Sequence, residues 1–235
     1  MRIDQTMFPA WSAAATLVGL HGQAAVQHTM DAIHSTTVSD RLDDTIRAVT
    51  SFDHVVDNAS ALPIGMVVPR FGRYVAGYDA AREALLLIVG SGLVPAAGLR
   101  VGRQSLLAGR DAFMSGVAAI GSDTSRYGTY LAAGWLNAAA EDATNGAQLL
   151  QPAGDTGDRL LAGIDQVRAA VAHNAPLDAA LVKSVGDLFA QADSELAEAV
   201  AHASQGAPQL DAEVERRVMA QTDTLLRTAA RASAA

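Results

Sequence analysis

The chain has no cysteine, which excludes disulfide staples, thiolate metal sites and cysteine nucleophiles and leaves its redox compartment open. Lysine occurs once, at Lys183, and arginine supplies the other 16 positive charges. That skew reads as base-composition bias in the coding sequence rather than recognition chemistry. Aromatic residues make up 5% and charged residues 18%, although half of the chain is apolar. Alanine does most of that apolar work, and low charge with abundant alanine suits helices that pack closely and bury most of their faces. Catalytic signatures are missing as well. There is no Gly-x-Ser-x-Gly elbow, no Walker loop, no zinc-protease helix, no calcium loop and no Glu-x-x-His pair of the kind that di-metal bundles use. No catalytic, cofactor-binding or metal-binding residue is assigned from the sequence.

The chain is organised around Arg82 to Asp123. Ala84 to Leu99 (ALLLIVGSGLVPAAGL) carries no charge, but its sixteen residues fall short of the roughly 20 that a spanning helix needs. Gly90-Ser91-Gly92 and Pro95 break it, so one helix ends near Val89 and a turn leads into the next. The GSG lacks the third glycine of a dinucleotide loop. From Gly98 to Ala119 small residues recur in alternating steps of four and three: Gly98, Gly102, Ser105, Gly109, Ala112, Gly116 and Ala119. Leu99, Leu106, Phe113 and Ile120 line up beside them, which makes an amphipathic helix with glycine in its apolar face. Three interior glycines cost roughly 3 kcal/mol relative to alanine, and close backbone approach by another helix is the usual compensation.

The length of 235 residues fits one large domain or two small ones. The predicted fold class is all-α, a bundle of about seven helices with close-packed Gly/Ala faces. Residues 8–33 form the first helix. Thr37 with Asp40 matches a capping box for the second, which runs to about Asn58 on Leu42, Ile46, Val49 and Val56. Ala59 to Arg73 is a connector with room for a short extended segment. Phe71, Val75, Tyr78, Leu85 and Val89 mark the next helix. Ser122-Asp123-Thr124-Ser125 is a helix-start cluster for one that continues to about Leu150. Pro152, Gly154 and Gly157 mark the preferred boundary, between an apolar part (1–150) and an acidic three-helix part (151–235) that either stands alone or adds to the first bundle.

The net charge of −8 argues against nucleic-acid binding. Residues 1–60 carry three Arg and seven Asp, whereas residues 61–110 carry six Arg against Asp79 and Glu83. The leading expectation is therefore a structural or assembly protein that self-associates, as a homo-oligomer, through Gly98, Gly102, Gly109 and Gly116. The alternative is a membrane-interacting protein. Its apolar hairpin would present Leu86, Leu87, Ile88, Leu93 and Val94, with Arg82, Arg100 and Arg103 facing an anionic lipid surface or an acidic protein partner. The bland reading pairs those arginines with acidic helices of the same fold. A third expectation is a helical-bundle enzyme or ligand-binding protein. For a metal, the nearest patterns are Asp53-His54 with Asp57, and Glu195, Glu198 and His202. His21 and His28 lie seven positions apart on one helix face, roughly 10 Å along the axis, and read as ordinary helix positions. Arg2 is offset by Asp4, which makes a weak signal peptide, and a mature start in the cytoplasm is expected.

Overall fold

A computed structural model describes residues 5–63, 71–150, 154–205 and 212–234. Every regular element among them is helical, and there are eight α-helices where the sequence pattern suggested about seven. They are α1 (Phe8–His34), α2 (Val38–Ser60), α3 (Phe71–Gly90), α4 (Ala97–Ser122), α5 (Arg126–Leu150), α6 (Thr156–Ala172), α7 (Ala179–Ser204) and α8 (Ala212–Ala234). The extended segment expected between Ile64 and Val68 lies outside the described residues.

Local sequence explains most of the boundaries. Thr37 Oγ1 accepts the Asp40 amide at 3.0 Å and donates to the Asp40 carboxylate at 2.8 Å, which satisfies a free donor at the start of α2. Asp178 caps α7 through the Ala180 amide at 2.8 Å. Between α3 and α4 the chain reverses through Gly92 at φ 68°, a backbone state open to glycine at little cost.

The helices fall into two groups of four by packing. α4 pairs most extensively with α5, and α6 and α7 complete that bundle. α1 pairs with α2, and α3 lies against both α2 and α8. The three helices beyond Leu150 therefore divide: α6 and α7 join α4 and α5, whereas α8 returns to α3 and α1. One apolar core runs through all four helices of the second group, around Leu106, Phe113, Leu136, Leu160, Ile164, Phe189 and Leu196. The groups meet where α1 lies on α5 and α2 lies on α4, a seam on which the polar chemistry below is built.

Candidate functional site

The glycine stripe is filled from within the chain. A Cβ built on Gly109 would stand 3.0 Å from the Ala139 carbonyl and 3.0 Å from the Ala143 amide of α5. Gly116 faces Leu136 and Gly102 faces Leu149, while Gly146 answers from α5 with 3.0 Å to the Gly102 carbonyl. The stripe is the contact surface of α4 with α5, so it gives no argument for a second copy. Gly98, at the start of α4, meets nothing within 4 Å.

The apolar hairpin also faces inward. Ile88, Leu93 and Val94 are buried with Val38, Leu42, Ile46 and Val218, Leu87 is half-buried, and only Leu86 stands well out, at 59% exposure. Two of the flanking arginines are occupied: Arg100 lies 3.6 Å from Asp43 and Arg103 Nε donates to Asp193 at 2.6 Å, while Arg82 is exposed. An insertion tip made of these residues would have to leave a formed core. No described helix is long and apolar enough to cross a membrane. Among the described residues no group of three His, Asp or Glu side chains is placed to hold a metal ion, and His202 and Glu198 stand 4.0 Å apart on an open helix face.

The seam carries a different constellation. His54 of α2 points at Asp142 of α5, with Nε2 3.2 Å from Oδ2 and both side chains almost fully buried. The contact is close but falls short of well-formed hydrogen-bond geometry, and it becomes an ion pair when the imidazole is protonated. His21 of α1 packs edge-on to the His54 ring at 4.7 Å and against Trp135 at 4.6 Å. Gly109 explains how Asp142 reaches this position. A Cβ there would lie 3.1 Å from the Asp142 Cβ, so the glycine lets α5 sit close enough for its carboxylate to meet α2.

Burial and charge set the protonation states. His21 is pushed down to about 3, first by burial and then by the neighbouring His54, so it is neutral across the physiological range. Burial is the largest single influence on His54 and works against its charged form, but Asp142, Glu141 and Asp53 together outweigh it and the imidazole is raised above its ordinary value. Asp142 is itself raised, because burial exceeds the opposing effect of His54. Glu141, one residue earlier, faces Asp57 and Asp53; burial of its carboxyl, then those two charges, push it up to about 7.

His54 lies in the wall between two clefts. The first, about 390 Å³, runs between α1, α2 and α4, with His21, His28, Arg47, Gln104, Arg110 and Trp135 of α5 among its lining. Arg47 Nε donates to Gln104 Oε1 at 3.2 Å, and Arg110 forks onto Asp111 at 2.9 and 3.1 Å. His21 Nε2 is buried there with no hydrogen-bond partner. The second cleft, about 300 Å³, lies on the other side of His54 and is lined by Asp57, Asn58, Asn137 and Glu141. Basic and acidic clefts thus share one imidazole.

The sequence marked Asp53-His54-Asp57 as a carboxylate–histidine pattern, but the partner of His54 is Asp142, 88 positions further on. Nothing in the local pattern of α5 singles out Asp142; a charge set among alanines was the one available signal. His21 was passed over because its partners come from other helices. Comparison with family models, curated proteins and solved structures finds no match for this chain.

Proposed function

We propose that the protein is a helical-bundle ligand-binding protein, whose cleft between α1, α2 and α4 takes a small organic anion. One observation carries the reading: a buried His21 Nε2 without a partner, beside the His54–Asp142 pair, on the wall of a cleft that also holds two guanidinium groups. A buried polar atom left unpaired is unfavourable by roughly 1–3 kcal/mol, and a ligand that hydrogen-bonds it recovers that energy. Arginine forks suit carboxylates, which they bind through two parallel hydrogen bonds. The cleft volume falls in the range of small-molecule sites. The wall carries Asp111 as well, already paired with Arg110, and Arg47 Nη1 lies 3.8 Å from Asp44 Oδ1, a long contact from which an incoming carboxylate can draw it, so the attraction rests mainly on Arg47. The self-association expected from glycine faces loses that support, because α5 covers Gly102, Gly109 and Gly116.

The test is a thermal-shift and calorimetric screen of acetate, malonate, succinate and citrate against chloride at matched ionic strength. At least one carboxylate is expected to raise Tm beyond chloride, and Arg47→Ala is expected to abolish that gain. No gain over chloride from any of the four, or a gain that survives Arg47→Ala, would overturn the reading.

A further inference from the structure

A larger cavity, about 740 Å³, opens at one end of the α4–α7 bundle, well apart in sequence from the His54 seam. Its inner wall is apolar: Val117 and Ile120 come from the last turns of α4, Val171 from the end of α6, Leu177 from the turn that follows, and Val182 from the start of α7. Val171 is buried to 2% exposure, and Val117, Ile120, Leu177 and Val182 pack against the same bundle core, so the inner wall of the cavity is continuous with that core while its outer rim lies at the surface. Residues 174–177, between α6 and α7, line it as well. Thr129 of α5 donates its hydroxyl to the Ser125 carbonyl at 3.1 Å and lies 3.4 Å from Asn174 Oδ1, so that segment approaches the opposite wall, and Asn174 holds a left-handed φ of 51° there.

The rim is basic. Lys183 is bonded to Asp187 at 2.6 Å, so its charge is already matched. Arg126, in the first turn of α5, has no carboxylate partner among the described residues. An apolar channel among four helix ends with one unmatched guanidinium at its mouth is complementary to an unbranched chain with an anionic head. We infer that this cavity is a second site, distinct from the cleft at the seam, for a single-chain amphiphile bearing a carboxylate. The chain lies among Val117, Ile120, Val171 and Val182, where it displaces water from apolar walls and gains most of the affinity. The head stays at the wet rim beside Arg126 and sets the preference for an anion.

Sodium decanoate, kept below its micelle-forming concentration, is the probe, with 1-decanol as the neutral-head control, both read by titration calorimetry. Decanoate is expected to bind saturably, one per chain. Ala179→Trp, which fills the mouth from an exposed helix-start position, is expected to abolish binding of both probes while leaving the thermal melt unchanged. Arg126→Glu, also at an exposed position, is expected to weaken decanoate roughly tenfold, as loss of one exposed ion pair plus a repulsion of similar size implies, and to leave decanol unaffected. Absence of saturable decanoate binding overturns the site. Binding of decanoate that is indifferent to Arg126→Glu overturns the anionic-head assignment, and this holds even if Ala179→Trp fails to fold.

Discussion

The α4–α7 bundle buries one continuous apolar core, in which Phe113 and Phe189 meet at 5.8 Å, and its first two helices touch backbone to backbone through glycine. Among α1, α2, α3 and α8 the buried apolar residues instead fall into four smaller clusters. A buried guanidinium helps to hold that group together. Arg41 donates to the Met219 carbonyl at 2.6 Å and to Thr222 at 3.1 Å on α8, and to the Ile33 and Ser35 carbonyls at 3.1 and 3.3 Å near the α1–α2 turn. The difference teaches that alanine-rich helices solve the shortage of large side chains in two ways. They shrink the helix separation until backbone atoms pack, or they tie neighbouring elements together with a long polar side chain, as Arg41 does through both terminal nitrogens. The seam between the groups inherits both: Gly109 brings α5 in close, and the polar His54–Asp142 pair spans the remaining distance.

The largest expected effect tests the glycine contact. Gly109→Leu should destabilise the protein by about 3 kcal/mol through overpacking against the Ala139 and Ala143 backbone. Gly98→Leu, where nothing lies within 4 Å, should change stability by no more than about 0.5 kcal/mol. Urea denaturation of the two variants decides it; equal effects at both positions would remove the distinction between a filled and an open end of the stripe.

Next in size is the polar tie of the other group. Arg41→Met keeps the side chain long but strips its donors, and should cost about 2 kcal/mol by leaving buried acceptors unpaired. The loss should be local, so amide exchange in 212–234 should quicken before that of α4–α7. Uniform acceleration across both groups would mean that they unfold as one unit with no separate weak point at α8.

The smallest effect sits at the seam and depends on pH. Glu141 is raised to about 7 in the folded chain, so the folded state keeps a proton that the unfolded state has released. Its contribution is fully present below about pH 4.5 and is lost as pH rises through about 7. Glu141→Gln should therefore match the parent protein near pH 4 and exceed it at pH 8. The gain should be about 1 kcal/mol once solvent screening at this partly exposed group is allowed for. Thermal melts at the two pH values check it, and a variant less stable than the parent at pH 8 would show that Glu141 is favourably paired instead.

Sequence alone settled the helical class, because period-3.6 apolar stripes and capping residues act within one helix. Thr37 with Asp40, the Gly90-Ser91-Gly92 turn and the small-residue stripe of α4 were all legible for that reason. The stripe even announced a close neighbour, since three glycines in one helix face need one. Which neighbour it was, α5 of the same chain or a second copy, was settled only by the tertiary structure, because small residues specify distance and not identity. The same limit hid the seam. His21, His54 and Asp142 sit in three helices, and their meeting depends on how those helices are set against each other. The inward turn of Ile88, Leu93 and Val94 has a similar cause: an apolar run says that water must be left, and the packing of α2, α3 and α8 decided which of the chain's own side chains cover these three.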